Sequence, residues 1–137
     1  MIDLHARKVI GWAPGTSLAA ELVIQAFLMA CITRKPPKGL LFHSDRGVQY
    51  ASRAFREKLS AWGMRQSMSR KGNCWDNAPA EAFFKSLKTE LIGGHIYRTR
   101  AEARTAVFEY IECFYNRVRL HSALDYRTPM EYELITA

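Results

Sequence analysis

The sequence predicts an α/β fold with a helical C-terminal end. Three observations carry that prediction. Short apolar runs bounded by turn residues lie at residues 1–4, 8–13 and 39–43. Longer segments with apolar residues three and four positions apart interleave with them and then take over the chain. Pro14-Gly15, Pro36-Pro37 and Gly93-Gly94 separate one pattern from the next. Brief apolar runs between breakers make strands, a three-to-four spacing makes helices, and strands interleaved with helices make an α/β layer.

Each element follows from local chemistry. Met1 to Leu4 and Lys8 to Ala13 form two strands around a His5-Ala6-Arg7 turn, where Ile10 and Trp12 suit a half-buried pleated surface. Thr16 or Ser17 caps a helix over residues 18–33. Ser17, Glu21 and Gln25 make one narrow polar stripe on it, so the rest of its surface is expected to be buried or packed against a partner. Residues 39–43 form a buried strand that delivers Ser44-Asp45-Arg46-Gly47 at its C-terminal end. Ser52 opens a second helix to about Trp62, with Phe55, Leu59 and Trp62 on one face, and Gly63 stops it. Met64 to Met68 forms an edge strand, and Ser69 to Asn77 a polar loop. Ala78 to Ile92 is a third helix, capped by Asp76 or Asn77, with Pro79 in its first turn. Its expected apolar stripe is Ala80, Phe83, Phe84, Leu87 and Leu91. Thr99 and Glu102 form a capping box for a fourth helix that buries Ala103, Val107, Tyr110, Ile111 and Phe114 and ends near Arg117. An arginine-rich segment and a last helical turn after Pro129 finish the chain.

Composition narrows the class. The chain has 137 residues, 48% apolar and 24% charged, which suits one globular domain and excludes disordered, collagenous and coiled-coil classes. Lys and Arg number 20 against 13 Asp and Glu, a net charge of +7. Such a balance favours polyanions, nucleic acid ahead of an anionic membrane. Cys31, Cys74 and Cys113 have no paired spacing, which argues against a disulfide framework or a structural zinc site and for a reducing cytoplasm. Cys74, beside Trp75, reads as a spectator. The longest apolar run, residues 18–32, contains Glu21 and Gln25 and is too short to span a bilayer. No signal peptide is visible.

Two acids stand out. Asp45 follows a buried strand, a common ligand address in open α/β sheets. Glu81 lies in the first turn of the helix after the polar loop. Between them stand 35 residues. Carboxylates from a strand end and a helix start, if they converge, offer hard oxygen ligands to Mg²⁺ or Mn²⁺, the ions that serve phosphodiester displacement. Lys85 and Lys88 share the Glu81 face and are expected opposite the Phe83, Phe84 and Leu87 stripe. The competing reading is a solvated face with one i,i+4 ion pair, worth about 0.3–0.5 kcal/mol. Arg53, Arg56, Lys58, Arg65, Arg70 and Lys71, with Trp62 and Trp75, form a basic and aromatic cluster suited to DNA ends by phosphate contact and stacking. Arg117, Arg119, His121 and Arg127 form a second basic segment. His43 and His121 read as structural or DNA-facing rather than as metal ligands.

These residues carry a resemblance. His43-Ser-Asp-Arg-Gly-Val-Gln-Tyr50 followed by Ser52 resembles the HSDxGxQYxS motif of insertion-sequence transposases of the IS3 type. Ser67 to Pro79, then Glu81, Phe83-Phe84 and Ser86-Leu-Lys-Thr-Glu90, resembles their third-carboxylate block. Phe114-Tyr-Asn-Arg with Arg119, His121-Ser122 and Leu124, and then Pro129 with Tyr132-Glu133, resembles their C-terminal signature. Ile2-Asp-Leu with Arg7, Val9 and Gly11-Trp12 resembles their second strand. The similarity runs from residue 1 to about 134. Asp125 departs from it, standing where the family prefers Gly.

The resemblance implies an RNase H-like integrase core. It makes Asp45 and Glu81 the second and third members of an Asp-Asp-Glu triad that holds Mg²⁺ or Mn²⁺ in a two-metal site. It makes Lys88, and secondarily Lys85, contacts to DNA. Asn73, Trp75, Asp76 and Asn77 match the block before Glu81, with loop shaping, helix capping or DNA-end contact as their roles. The family's first Asp, in a Trp-x-x-Asp-Ile-Thr-Tyr stretch on strand one, has no match in these residues. Asp3 matches a different position, the end of strand two. The expectation is therefore an N-terminally truncated core. Residues 1–97 would be a partial catalytic core without strand one, and residues 98–137 a C-terminal helical segment packed on it. The implied activity is DNA transposition and integration by metal-dependent strand cleavage and transfer, with this piece inactive alone. Transposon-end and target DNA, a second copy or a partner transposase subunit are the implied partners, with no membrane, in the bacterial cytoplasm at the nucleoid. The alternatives are a non-catalytic nucleic-acid-binding or dimerisation module modulating an intact transposase, and a small metal-dependent nuclease.

Overall fold

The computed structural model describes the backbone of residues 1–137 and every side chain except that of Cys74, whose expected role as a spectator lies outside the described residues. The chain divides into two compact units, Met1 with Ile10–Ala78 and Ile2–Val9 with Pro79–Ala137. No helix among the described residues is long and apolar enough to cross a membrane.

The first unit is built on helix α1 (Ala20–Arg34), strand β1 (Leu41–Ser44), the short helix α2 (Val48–Ala51), helix α3 (Arg53–Ala61) and strand β2 (Arg65–Met68). β1 and β2 pair in parallel, Leu41 against Arg65 through Ser44 against Met68. A parallel pair needs a crossover, and α2 and α3 supply it. Ser52 caps α3 as expected, its hydroxyl accepting from the Phe55 amide. Ile24, Phe27, Cys31, Phe55 and Leu59 form the buried core. Phe27, Phe42, Tyr50 and Phe55 meet there at ring-centroid distances of 5.3–6.2 Å, the tilted and edge-to-face contacts that aromatic quadrupoles favour. Burial pushes the Cys31 thiol up to about 11. Gly11 lets its backbone lie against α1, because a Cβ there would meet the Ala26 carbonyl oxygen at 2.2 Å. α1 is less buried than its composition suggested: Met29 and Ile32 remain exposed.

The second unit opens with a tight reversal. Residues 2 and 9 form a single antiparallel bridge rather than two full strands. Asp3 shapes the turn, its carboxylate accepting from the amides of His5 and Ala6. Asn116 is buried and pairs twice with Val9, accepting from its amide and donating to its carbonyl, both at 2.9 Å. Helix α4 (Ala78–Ser86) continues as a π-helical stretch over Leu87–Ile92, and α5 (Arg100–Phe108) as one over Glu109–Tyr115. The wider π turn changes which residues share a face. Tyr115, 4% exposed, takes the place expected for Phe114, which is 39% exposed. Thr99 caps α5, while Glu102 reaches back to the Arg98 amide instead of the cap residue. A reciprocal capping box does form at Thr128 and Glu131, with Pro129 opening helix α6 (Pro129–Thr136).

Candidate active site

In the first unit, Asp45 stands directly after β1 and is exposed. Its Oδ1 accepts from the Gly47 amide at 2.7 Å. This bond to the backbone two residues on fixes the carboxylate in an Asx turn. A Cβ at Gly47 would lie 2.8 Å from the same oxygen, so a larger residue there would push the carboxylate aside. Burial and the Asp45 charge together push the neighbouring Tyr50 phenol above its ordinary value.

A hydrogen-bond network holds the strand end from below. The buried Ser69 donates its amide to the Ser44 carbonyl at 2.8 Å and its hydroxyl to Asn77 Oδ1 at 2.7 Å. His43 joins Ser67 Oγ through Nδ1 at 3.0 Å and Ser69 Oγ through Nε2 at 3.3 Å. Arg46 Nε donates to the Ser69 carbonyl at 2.8 Å. Asn77 thus ties the loop to the strand end, a tertiary role in place of the expected helix cap. Asn73 does the capping one step earlier, accepting from the Trp75 amide as the 3₁₀ turn Cys74–Asn77 begins. Arg70 is exposed and bound to Asp76 through its amide at 2.9 Å and its guanidinium at 3.2–3.3 Å. These bonds hold the Asp76 carboxyl below the usual carboxylate value, the side-chain bond first. Lys71 and Trp75 are exposed, Trp75 at 81%. Arg53 in the same unit pairs with Glu57 at 2.7 Å.

In the second unit, Glu81 lies on the first turn of α4 and is exposed. Together with Phe84, Lys85, Lys88 and Thr89 it lines an open surface depression. Phe84 belongs on this face, not on the core stripe: it is 55% exposed, while Phe83 is buried. At about 100° per residue, Phe83 and Phe84 point in different directions, and Phe84 falls about 60° from Glu81. Arg117 donates from Nε to the Glu112 carbonyl at 3.0 Å. Arg119 has an internal role as well. It bridges to Glu90 at 2.8–2.9 Å and sits over the Tyr115 ring, while Tyr110 donates to the same Glu90 at 2.7 Å. His121 packs edge-on against Tyr115, with Nε2 buried and unpaired among the described residues. Burial, then the positive charge of Arg119, keeps this imidazole below its ordinary value.

Sequence reasoning missed the supporting set of Ser67, Ser69 and Gly47. Of these only Gly47 carried a local signal, a glycine two residues after an Asp. The carboxylates of Asp45 and Glu81 are hard oxygen donors of the kind that suits Mg²⁺ or Mn²⁺. Among the described residues, no group of three or more His, Cys, Asp and Glu side chains is gathered to hold a metal ion.

Two family models, each described as an integrase core domain, match residues 1–74 and 81–136. The chain belongs to the integrase core family. Within that family it is 46% identical over 132 residues to the transposase for insertion sequence element IS904 of Lactococcus lactis, covering 96% of this chain and 52% of that protein. It is 44% identical over 133 residues to transposase InsF for insertion sequence IS3A of Escherichia coli, covering 97% of this chain and 46% of that protein. The integrase-core chain thus spans about half the length of the curated relatives it matches. Solved structures show the same fold. The catalytic core domain of BIV integrase aligns with a TM-score of 0.60 at 20% identity, covering 89% of this chain and 75% of that one. A chain of the simian T-cell lymphotropic virus intasome, solved with PP2A regulatory subunit B56 gamma, aligns with a TM-score of 0.67 at 16% identity, covering 86% of this chain and 41% of that one. The α/β, RNase H-like integrase core expected from the motifs is therefore the fold of this chain.

Proposed function

We propose that this integrase-core chain serves DNA transposition, as part of the catalytic core of an IS3-type transposase. The observation that supports it best is the Asp45 carboxylate, held by the Gly47 amide at the C-terminal end of β1. In this proposal residues 1–97 form a partial catalytic core and residues 98–137 its C-terminal helical segment. Asp45 and Glu81 are the catalytic carboxylates that would hold Mg²⁺ or Mn²⁺. When bound, such ions activate the attacking oxygen and stabilise the leaving one in phosphodiester displacement.

The protein groups have separate tasks. Gly47 orients the Asp45 carboxylate, and Ser69, Asn77 and His43 keep the strand end in place beneath it. Lys85 and Lys88 neutralise phosphates next to Glu81, each as a compact positive charge. Lys71 and Trp75 add a phosphate contact and a stacking surface on the loop, where Arg70 is anchored by Asp76 and Asn73 sets the turn. Arg117 adds a further positive charge near the end of the π stretch. Transposon-end and target DNA are the substrates, and a second copy or another transposase subunit completes the complex. Its place is the bacterial cytoplasm, at the nucleoid. In this proposal these residues bind DNA, and Asp45 and Glu81 supply two of the carboxylates of a two-metal centre.

DNA binding across a salt series tests the proposal. Affinity should fall steeply with salt, and Lys88→Ala should lower the logarithmic slope by about 0.9, one phosphate contact. Mn²⁺ titration should show weak binding that Asp45→Asn and Glu81→Gln each reduce. Binding of Mn²⁺ unaffected by either change, or no salt-sensitive DNA binding, would overturn the assignment. Nicking of DNA by the wild-type chain that disappears in Asp45→Asn would favour a nuclease instead.

A further inference from the structure

We propose that Phe84 is a stacking platform for an unpaired base of the DNA strand that meets Glu81. This rests on the reading that the Glu81 face meets DNA, and goes beyond it by assigning a contact to the base rather than to phosphate. Three observations converge on Phe84. Its ring is 55% exposed and lies in the same depression as Glu81, Lys85, Lys88 and Thr89. It is braced from behind: it meets Phe83 at 5.4 Å and 66°, and the buried Phe83 ring meets Tyr115 at 5.0 Å and 88°. The ring is therefore held in position while much of its surface stays open.

The flanking charges select the occupant. Lys85 is the next residue, and Lys88 stands about one turn further along the helix. An aromatic surface beside two ammonium groups suits a nucleotide, which offers a flat base and an anionic phosphate. An apolar peptide would leave both lysines unpaired and Glu81 desolvated, which disfavours it. Stacking tolerates any base, so Phe84 contributes to the choice of unpaired over paired DNA and not to sequence readout. A paired end keeps its last base stacked in the duplex; a frayed end or an overhang frees it.

The test uses the full chain and two DNA probes, a blunt duplex and the same duplex with a single-stranded overhang. One overhang base is replaced by a fluorescent adenine analogue whose emission drops on stacking. The wild-type chain should quench the analogue. Phe84→Leu should abolish the quenching and weaken overhang binding by about fivefold or more, the effect of losing one stacked base. It should leave blunt-duplex affinity unchanged, and Phe84→Trp should restore the quenching. Wild-type binding without quenching, or equal losses on both probes in Phe84→Leu, would overturn the stacking role while the DNA reading stands. Failure of the wild-type chain to bind either probe would overturn both. Melting curves of the variants should match wild type; if Phe84→Leu melts early, Phe84→Trp decides alone, since its added indole emission must fall on binding the overhang.

Discussion

Asp45 and Glu81 are held in different ways, each within its own unit. Asp45 follows a strand and is fixed at two ranges: the Gly47 amide two residues on grips it, and Ser69, Asn77 and His43 hold the backbone it leaves from. Glu81 stands on an exposed helix face and has no hydrogen bond or ion pair among the described residues. Its place depends only on the phase of α4. A group fixed by a network is pre-organised and sensitive to distant substitutions. A group fixed by helix phase tolerates its neighbours and can adjust when a ligand arrives. The Asp45 side rests on side-chain bonds across its unit, the Glu81 side on the seating of α4 through the buried Phe83.

Substitutions on each side test that contrast. The largest effect is expected in the core behind Asp45. Phe55 is fully buried and touches Phe27, Phe42 and Tyr50. Phe55→Ala should cost about 3–5 kcal/mol by lost burial and a residual cavity, measured by denaturant unfolding. Next comes Ser69→Ala, which leaves Asn77 Oδ1 without its donor, while the backbone amide of residue 69 still reaches the Ser44 carbonyl. It should cost about 1–2 kcal/mol and raise hydrogen exchange at residues 44–47. An unchanged exchange pattern would mean that the network does not hold Asp45.

Acid acts on the loop of the same unit. The Arg70 bonds lower the Asp76 value in the folded chain, so the stabilisation is complete above the ordinary carboxylate value. It is lost as pH falls through the lower folded value. Trp75 emission should therefore change in that acid range, and Asp76→Asn should remove the change. The smallest effect belongs to the other carboxylate. Lys85→Ala, on the exposed Glu81 face, should alter stability by no more than about 0.5 kcal/mol. A larger loss in thermal unfolding would show that the face is structural and that the proposed contrast is wrong.

Much of this was legible in the chain. Ser52, Thr99 and Gly93 mark helix ends by themselves, because a cap or a left-handed glycine acts over three or four residues. The buried strand that presents Asp45 could be read from residues 39–43 and their flanking breakers, although the observed strand sits slightly later, at Leu41–Ser44. The exposure of Phe84 was also available, since its spacing from Glu81 places it on the lysine face. One apolar stripe cannot hold both Phe83 and Phe84, because adjacent helical residues point about 100° apart.

The amino-acid order by itself determined most of the helices, the caps at Ser52 and Thr99, and the acids presented at a strand end and a helix start. Those depend on interactions within a turn or two of chain. Only the tertiary structure decided that Asn77 binds Ser69 instead of capping a helix, that Arg119 closes on Glu90 and Tyr115, and that Tyr115 replaces Phe114 in the core. Each of these depends on partners distant in sequence or on π turns, whose phase no local residue pattern fixes.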